Sequence, residues 1–195
     1  MLERIKFNLI CTLVVCVSWI LLFKLNLGLF SKLQLSNLIA WVFLPSGLRL
    51  LATLLLRYYA IPGLFVGAMI MGFNNPGLDT VDLICISTIS AVTPYLAYHF
   101  VRSNLSIQAS FKGMTAPQLI LISAIFALFS ASMHNIYFYF FLDDFYNVLW
   151  LGTFEMFIGD FIGSILILFI FSLSIKLIRK IVSTSNLKNN SNASL

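Results

Sequence analysis

The chain has 195 residues, of which 60% are hydrophobic and only 10% are charged. Soluble globular domains carry about 25% charged residues, so this composition excludes a water-soluble globule and predicts an integral membrane protein. The formal net charge of +5 does not indicate a nucleic-acid partner, because the basic residues cluster at the ends of apolar runs, where membrane proteins place them.

The apolar runs predict an all-α bundle of about six transmembrane helices, since a helix needs about 20 residues to cross a hydrocarbon core. The first run resembles a signal peptide, but it is long and no small-x-small cleavage site follows, so we predict an uncleaved span. In chain order the predicted spans are residues 7–23, 36–56, 58–73, 81–101 and 117–142, and a last one within 147–178.

These spans predict one integral membrane domain over residues 1–182. Residues 183–195 are rich in serine and asparagine, a composition that predicts a disordered polar tail. The tail is too short and too polar to be an output domain.

The distribution of lysine and arginine predicts the orientation, because cytoplasmic segments are enriched in these residues. With six spans and both termini in the cytoplasm, the outer segments contain only Lys24 and Lys32. The inner segments contain Arg4, Lys6, Arg57, Arg102, Lys112, Lys176, Arg179, Lys180 and Lys188.

Sequence motifs for catalysis or metal binding are absent. Cys11, Cys16 and Cys85 lie in apolar runs without CxxC or CxxH spacing, which supports neither a disulfide framework nor a zinc site. No GxSxG, HExxH or P-loop pattern occurs. We therefore predict no enzymatic activity, no metal and no cofactor.

Polar residues inside the apolar runs are the candidates for a ligand site or an ion pair. A charge near the middle of a membrane costs at least about 2.5–3.5 kcal/mol, so it needs a partner, a wet cavity or a position at the interface. We predict that Arg49 pairs with Asp160, with Glu155 as the second choice. A purely structural pair and a ligand-contacting pair are both compatible with this pattern. The full candidate set is Ser46, Arg49, His134, Glu155 and Asp160.

Small residues and one proline predict where the helices approach each other or break. Gly63 and Gly67, like Gly159 and Gly163, have the GxxxG spacing that lets helix backbones pack closely. The sequence Pro45-Ser46-Gly47 predicts a kink, a helix start with the proline in its first turn, or an unwound segment beside a cavity.

The same residues resemble the membrane-associated sensor domain of the first MASE class. That family has a Pro-x-Gly helix start, which falls on Pro45 and Gly47, and a Gly-Asp pair, which falls on Gly159 and Asp160. The similar stretches are residues 43–50 (FLPSGLRL), 57–68 (RYYAIPGLFVGA) and 159–163 (GDFIG), with Thr93-Pro94, Arg102 and 128–134 between them.

The resemblance implies a multi-pass sensory module of the bacterial inner membrane. In family members this domain usually lies in front of a histidine kinase, a diguanylate cyclase or a phosphodiesterase in the same chain. Because no such domain is expected here, the resemblance implies signalling through a separate partner. A small-solute-binding transporter subunit and an inert assembly subunit are the alternatives. The lipid bilayer surrounds the protein in every case. A sensory module or a transporter subunit would also bind a small ligand.

Overall fold

A computed structural model of the chain describes residues 2–33, 39–75, 77–104, 115–142 and 149–192. These residues confirm the predicted all-α class, since they contain helices and no strand. The helices are α1 (Leu2–Phe30), α2 (Leu44–Leu56), α3 (Ile61–Gly72), α4 (Thr80–Asn104), α5 (Ala116–Phe141) and α6 (Leu149–Asn192), with short 3-10 segments at Ser31–Leu33 and Arg57–Ala60.

Within the described residues, five helical stretches are long and apolar enough to cross a membrane, one fewer than predicted. The difference lies in Leu44–Gly72, which contains both α2 and α3. These helices have 13 and 12 residues, or about 20 and 18 Å at 1.5 Å per residue, and each is shorter than a typical hydrocarbon core. The other four stretches are Glu3–Leu33, Thr80–Asn104, Ala116–Phe141 and Leu149–Ile178.

Helix α6 continues to Asn192 and therefore extends into the segment predicted to be a disordered tail. The domain boundary between residues 182 and 183 stays a prediction. The predicted start of the second span at residues 36–38, Lys112 and the start of the last span at residues 147–148 lie outside the described residues.

Contacts along α1 show that α2 runs antiparallel to it. Asn26, near the C-terminal end of α1, binds the backbone of Leu44 at the start of α2. Phe7, near the other end of α1, packs on Tyr59 just beyond α2, with ring centroids 5.4 Å apart. The chain then reverses at Arg57, whose φ of 56° is uncommon for a residue other than glycine.

The later helices continue this alternation of direction. Helix α3 is parallel to α1, because Gly63 lies against Val15 and Gly67 lies against Trp19. Contacts between the end of one helix and the start of the next then make α4 antiparallel to α3, α5 antiparallel to α4, and α6 antiparallel to α5. These contacts are Gly72–Leu83, Asp82–Tyr137 and Asn135–Met156.

The alternation places charged segments at one end of the bundle, which we call the basic end. It contains the start of α1, the turn between α2 and α3, the end of α4 and the C-terminal part of α6. Its exposed cations are Arg4, Lys6, Arg57, Arg102, Lys176 and Lys180. The opposite end, which we call the Asn75 end, contains the connection between α3 and α4.

An extended segment, residues 39–43, precedes α2 inside the bundle. The Phe43 N–H donates to the Gly159 carbonyl at 3.2 Å, and the Leu44 N–H donates to Asn26 Oδ1 at 2.8 Å. Non-helical backbone at membrane depth is stable only where such partners satisfy its polar groups. Helix α2 then begins at Leu44 with Pro45 in its first turn, so the proline starts a helix and does not kink one.

Helix α2 is the centre of the bundle and packs against α1, α4 and α6. Most of its residues are buried, including Ser46, Arg49 and Thr53, which share one polar face. Its apolar residues join the largest core cluster, in which they meet α4, α5 and α6. The members of this cluster are Leu50, Leu51, Leu54, Ala97, Tyr98, Val101, Ile122, Phe126 and Leu168.

Gly159 and Gly163 of α6 lie close to neighbouring backbone. A Cβ at Gly159 would overlap the carbonyl oxygen of Ala40, and one at Gly163 would overlap that of Phe43. Gly159 therefore packs against residues 39–43, and Gly163 packs against both Phe43 and the start of α2, where it meets Ser46 and Gly47. Gly63 and Gly67 do lie against a helix, α1.

We expect Gly159→Ala to destabilise the protein by about 1–3 kcal/mol, the usual cost of overpacking, because the methyl group would displace backbone. Gly28→Ala is the matched control, since nothing lies within 4 Å of its added Cβ, and it should leave stability unchanged or slightly raised. Thermal unfolding in detergent compares the two variants. Equal melting temperatures would contradict the tight contact.

Candidate functional site

A fully buried ion pair joins α2 to α6. Arg49 Nη2 lies 2.9 Å from Asp160 Oδ1 and 3.0 Å from Oδ2, and both side chains are only 1% exposed. Of the two carboxylates considered as partners in the sequence, Asp160 is the one that meets Arg49. The pair lets two charges lie within the bundle, where either one alone would be costly.

Beside this pair, the Ser46 hydroxyl of α2 bonds to the backbone of α6. Its oxygen lies 2.8 Å from the Asp160 carbonyl oxygen and 2.7 Å from the Phe43 carbonyl oxygen, so one hydroxyl hydrogen faces two acceptors. The Ser164 hydroxyl, 3.4 Å away, can donate to Ser46. Gly47 allows this approach, because a Cβ there would lie 2.5 Å from the Gly163 carbonyl oxygen.

Aromatic rings surround the guanidinium group of Arg49. Its Cζ atom lies 5.2 Å from the ring centroid of Phe126, 5.8 Å from that of Phe43 and 6.0 Å from that of Trp19. Desolvated cation–π contacts at such distances stabilise a buried charge. The Arg49 Nε–H is buried and has no hydrogen-bond acceptor in the part of the chain that the structure describes.

His134 lies in a second polar cluster, between α4 and α5. Its Nδ1 is 2.8 Å from the Ser130 carbonyl oxygen, and its Nε2 is 3.0 Å from the Ser90 hydroxyl. A carbonyl can only accept, so Nδ1 carries the proton, and Nε2 of the neutral ring accepts from Ser90. His134 is therefore a hydrogen-bonded packing residue, and its ring also lines the cavity described next.

A cavity of about 130 Å³ lies among the helices and extends to Asn75 and Leu78 at the Asn75 end. Its polar residues include Arg49, Ser87, Ser90 and His134. Asp160 does not line it, so a molecule in the cavity would meet the guanidinium group and not the carboxylate. The walls are aromatic and aliphatic, formed mainly by Trp19, Phe23, Phe43, Met71, Phe138 and Met156.

Glu155 does not join the ion pair. Its side chain is half-buried, and Oε2 has no hydrogen-bond partner among the described residues. No group of three His, Cys, Asp or Glu side chains that could hold a metal ion occurs in the described ranges. Arg49 and the aromatic residues that line the cavity can bind a molecule through hydrogen-bond donation and aromatic contact.

Several residues of the site have no signal in the sequence pattern. Trp19 and Phe126 are single aromatic residues in apolar runs, and nothing in their spacing links them to Arg49. Asn26 could have been noticed as a polar residue at the end of the first run. Its buried side chain caps the first turn of α2 by accepting from Leu44.

Comparisons with models of protein families, with curated proteins and with solved structures gave no match for this chain.

A double-mutant cycle tests the buried pair. Arg49→Ala and Asp160→Ala should each be strongly destabilising, because each leaves an uncompensated buried charge, at a typical cost of about 3–5 kcal/mol. The double variant should lose less than the sum, with a coupling energy of about 0.5–3 kcal/mol from unfolding in detergent.

The exposed pair Glu3–Lys6, with an N···O distance of 3.2 Å, is the control cycle. Exposed ion pairs contribute little because water and salt screen them, so its coupling should be several-fold smaller. Additive losses at Arg49 and Asp160 would show that their charges do not interact.

Proposed function

We propose that the chain is a sensory or accessory module of the membrane that binds a small molecule in the cavity and signals through a separate protein. The observation that supports this most is a buried cation that lines a cavity and is bonded to another helix. A molecule that contacts Arg49 would act on the Arg49–Asp160 pair and hence on the contact between α2 and α6.

The resemblance to the MASE sensor domain adds to this proposal. The residues that carry it are distant in sequence but lie at one junction: Pro45 and Gly47 begin α2, and Gly159 and Asp160 of α6 bond to Phe43 and Ser46 beside them. A shared pattern at such a junction is consistent with a shared way of joining the two helices. The bacterial inner membrane is the location that this resemblance favours.

We also propose six membrane passes with both termini in the cytoplasm. The six helices alternate in direction, and the exposed cations Arg4, Lys6, Arg102 and Lys176 lie at the basic end, whereas Lys24 and Lys32 lie toward the other end. Helices α2 and α3 then form two short passes, with the extended residues 39–43 completing the first. The positive-inside rule places the basic end in the cytoplasm.

A transporter subunit that binds a small solute is the second candidate. The observation that favours it is the extended segment, since residues 39, 40 and 43 line the cavity directly. Transporters place binding sites beside interrupted helices, where backbone groups become available to a solute.

Deleting the gene in the source organism separates the two functions. For sensing, we expect a kinase, cyclase or phosphodiesterase to co-purify with the tagged chain, and its activity in membranes to change at least about threefold on deletion, while solute uptake is unchanged. Uptake lost on deletion, together with a solute that co-purifies with the chain, would establish transport instead. An unchanged partner activity would contradict sensing.

Reporter fusions test the topology. A fluorescent protein after Leu195 should fold and fluoresce, because it remains in the cytoplasm, and reporters inserted near Lys32, Asn75 and Asp144 should be extracytoplasmic. Five passes would put the two termini on opposite sides, so a second fusion at the N-terminus is the internal control. An extracytoplasmic C-terminus would contradict six passes.

A further inference from the structure

We infer that the cavity binds an uncharged, single-ring molecule with one carbonyl-type acceptor, which bonds to the Arg49 guanidinium group. This inference rests on the proposed small-molecule binding and names the class of the ligand. It follows from the charge balance of the site, the composition of its walls and its volume.

The charge balance favours a neutral ligand. Asp160 already compensates the positive charge of Arg49 through two contacts of 2.9 and 3.0 Å. An anion in the cavity would add a buried negative charge without a second cation among the described lining residues. Burying such a charge is costly, whereas a neutral acceptor needs no further compensation.

The polar end of the cavity still offers a donor. Among the described residues, Asp160 engages only Nη2 of the Arg49 guanidinium group, and Nε is closed to a ligand because less than 1 Å² of it is accessible. A ligand carbonyl in the cavity that Arg49 lines would therefore accept from Nη1. The Ser90 hydroxyl, by contrast, already donates its hydrogen to His134 Nε2 at 3.0 Å. A ligand carbonyl would therefore bond to Arg49 and not to Ser90.

The walls and the volume favour one aromatic or similar planar ring. Trp19, Phe23, Phe43 and Phe138 line the cavity, and aromatic side chains pack well against another ring. The volume of about 130 Å³ is close to that of a cavity that holds benzene, about 150 Å³.

Three probes of similar size test the ligand class on the full chain purified in detergent: acetophenone, benzoate and ethylbenzene. They represent a neutral acceptor, an anion and a ring without an acceptor. Saturation-transfer NMR titrations give each Kd. Acetophenone should bind about tenfold more tightly than ethylbenzene, the effect of one hydrogen bond to a charged donor, and more tightly than benzoate.

A cavity-filling variant separates specific binding from partition into detergent. Ala68 lines the cavity, so Ala68→Phe should abolish acetophenone binding. Val66, which is 40% exposed on the same helix, provides the control Val66→Phe, which should bind as the wild type does. If Ala68→Phe fails to fold, Met71→Trp fills the cavity instead and Ile70→Trp, at a position 50% exposed, is its control.

The outcomes distinguish this inference from the proposed function. Tighter binding of benzoate, lost in Ala68→Phe, would overturn the neutral class and leave small-molecule sensing intact. Equal binding of acetophenone and ethylbenzene would overturn the role of the Arg49 donor. Binding that survives Ala68→Phe, or no binding by any probe, would overturn the cavity as the site, and the deletion experiment would still decide between sensing and transport.

Discussion

The high cost of removing a charge from water is the constraint on which this structure depends. Arg49 and Asp160 are both about 99% buried in the bundle, and neither could remain charged there without the other. Their contact requires α2 and α6 to lie very close together. The small residues Gly47 and Gly163 and the hydroxyl of Ser46 make that approach possible, so the packing of the central helix follows from the need to pair one cation.

The segment before α2 lines the space beside this pair. A helix with its side chains is about 10–12 Å across, whereas residues 39–43 are not helical. They approach α6 closely, and the carbonyl oxygens of Ala40 and Phe43 lie against Gly159 and Gly163. The arrangement requires backbone partners, which the Gly159 carbonyl and the Asn26 side chain provide, and it leaves a cavity with one polar end.

This geometry explains how binding in the cavity could act at a distance in the proposed function. A ligand changes a conformational equilibrium only if it interacts differently with the two states. Arg49 lines the cavity and is bonded to Asp160 through Nη2. A new acceptor beside it would therefore change the energy of the contact between α2 and α6. Helix α6 continues from that contact to the basic end, where a cytoplasmic partner would lie.

The sequence by itself determined the membrane class, the helices and the need of Arg49 for a carboxylate, because these depend on local composition and on the cost of an unpaired charge. Helix limits were close for α4 and α5, where the apolar runs are continuous. Only the tertiary structure decided that Asp160 and not Glu155 is the partner, that residues 39–43 are extended, and that Trp19, Phe43 and Phe126 surround the guanidinium group. Most of these features depend on contacts between residues far apart in sequence, such as Arg49 with Trp19, Phe126 and Asp160. The periodicity of a single helix does not encode such contacts, since every apolar face is equally compatible with lipid or with a neighbouring helix.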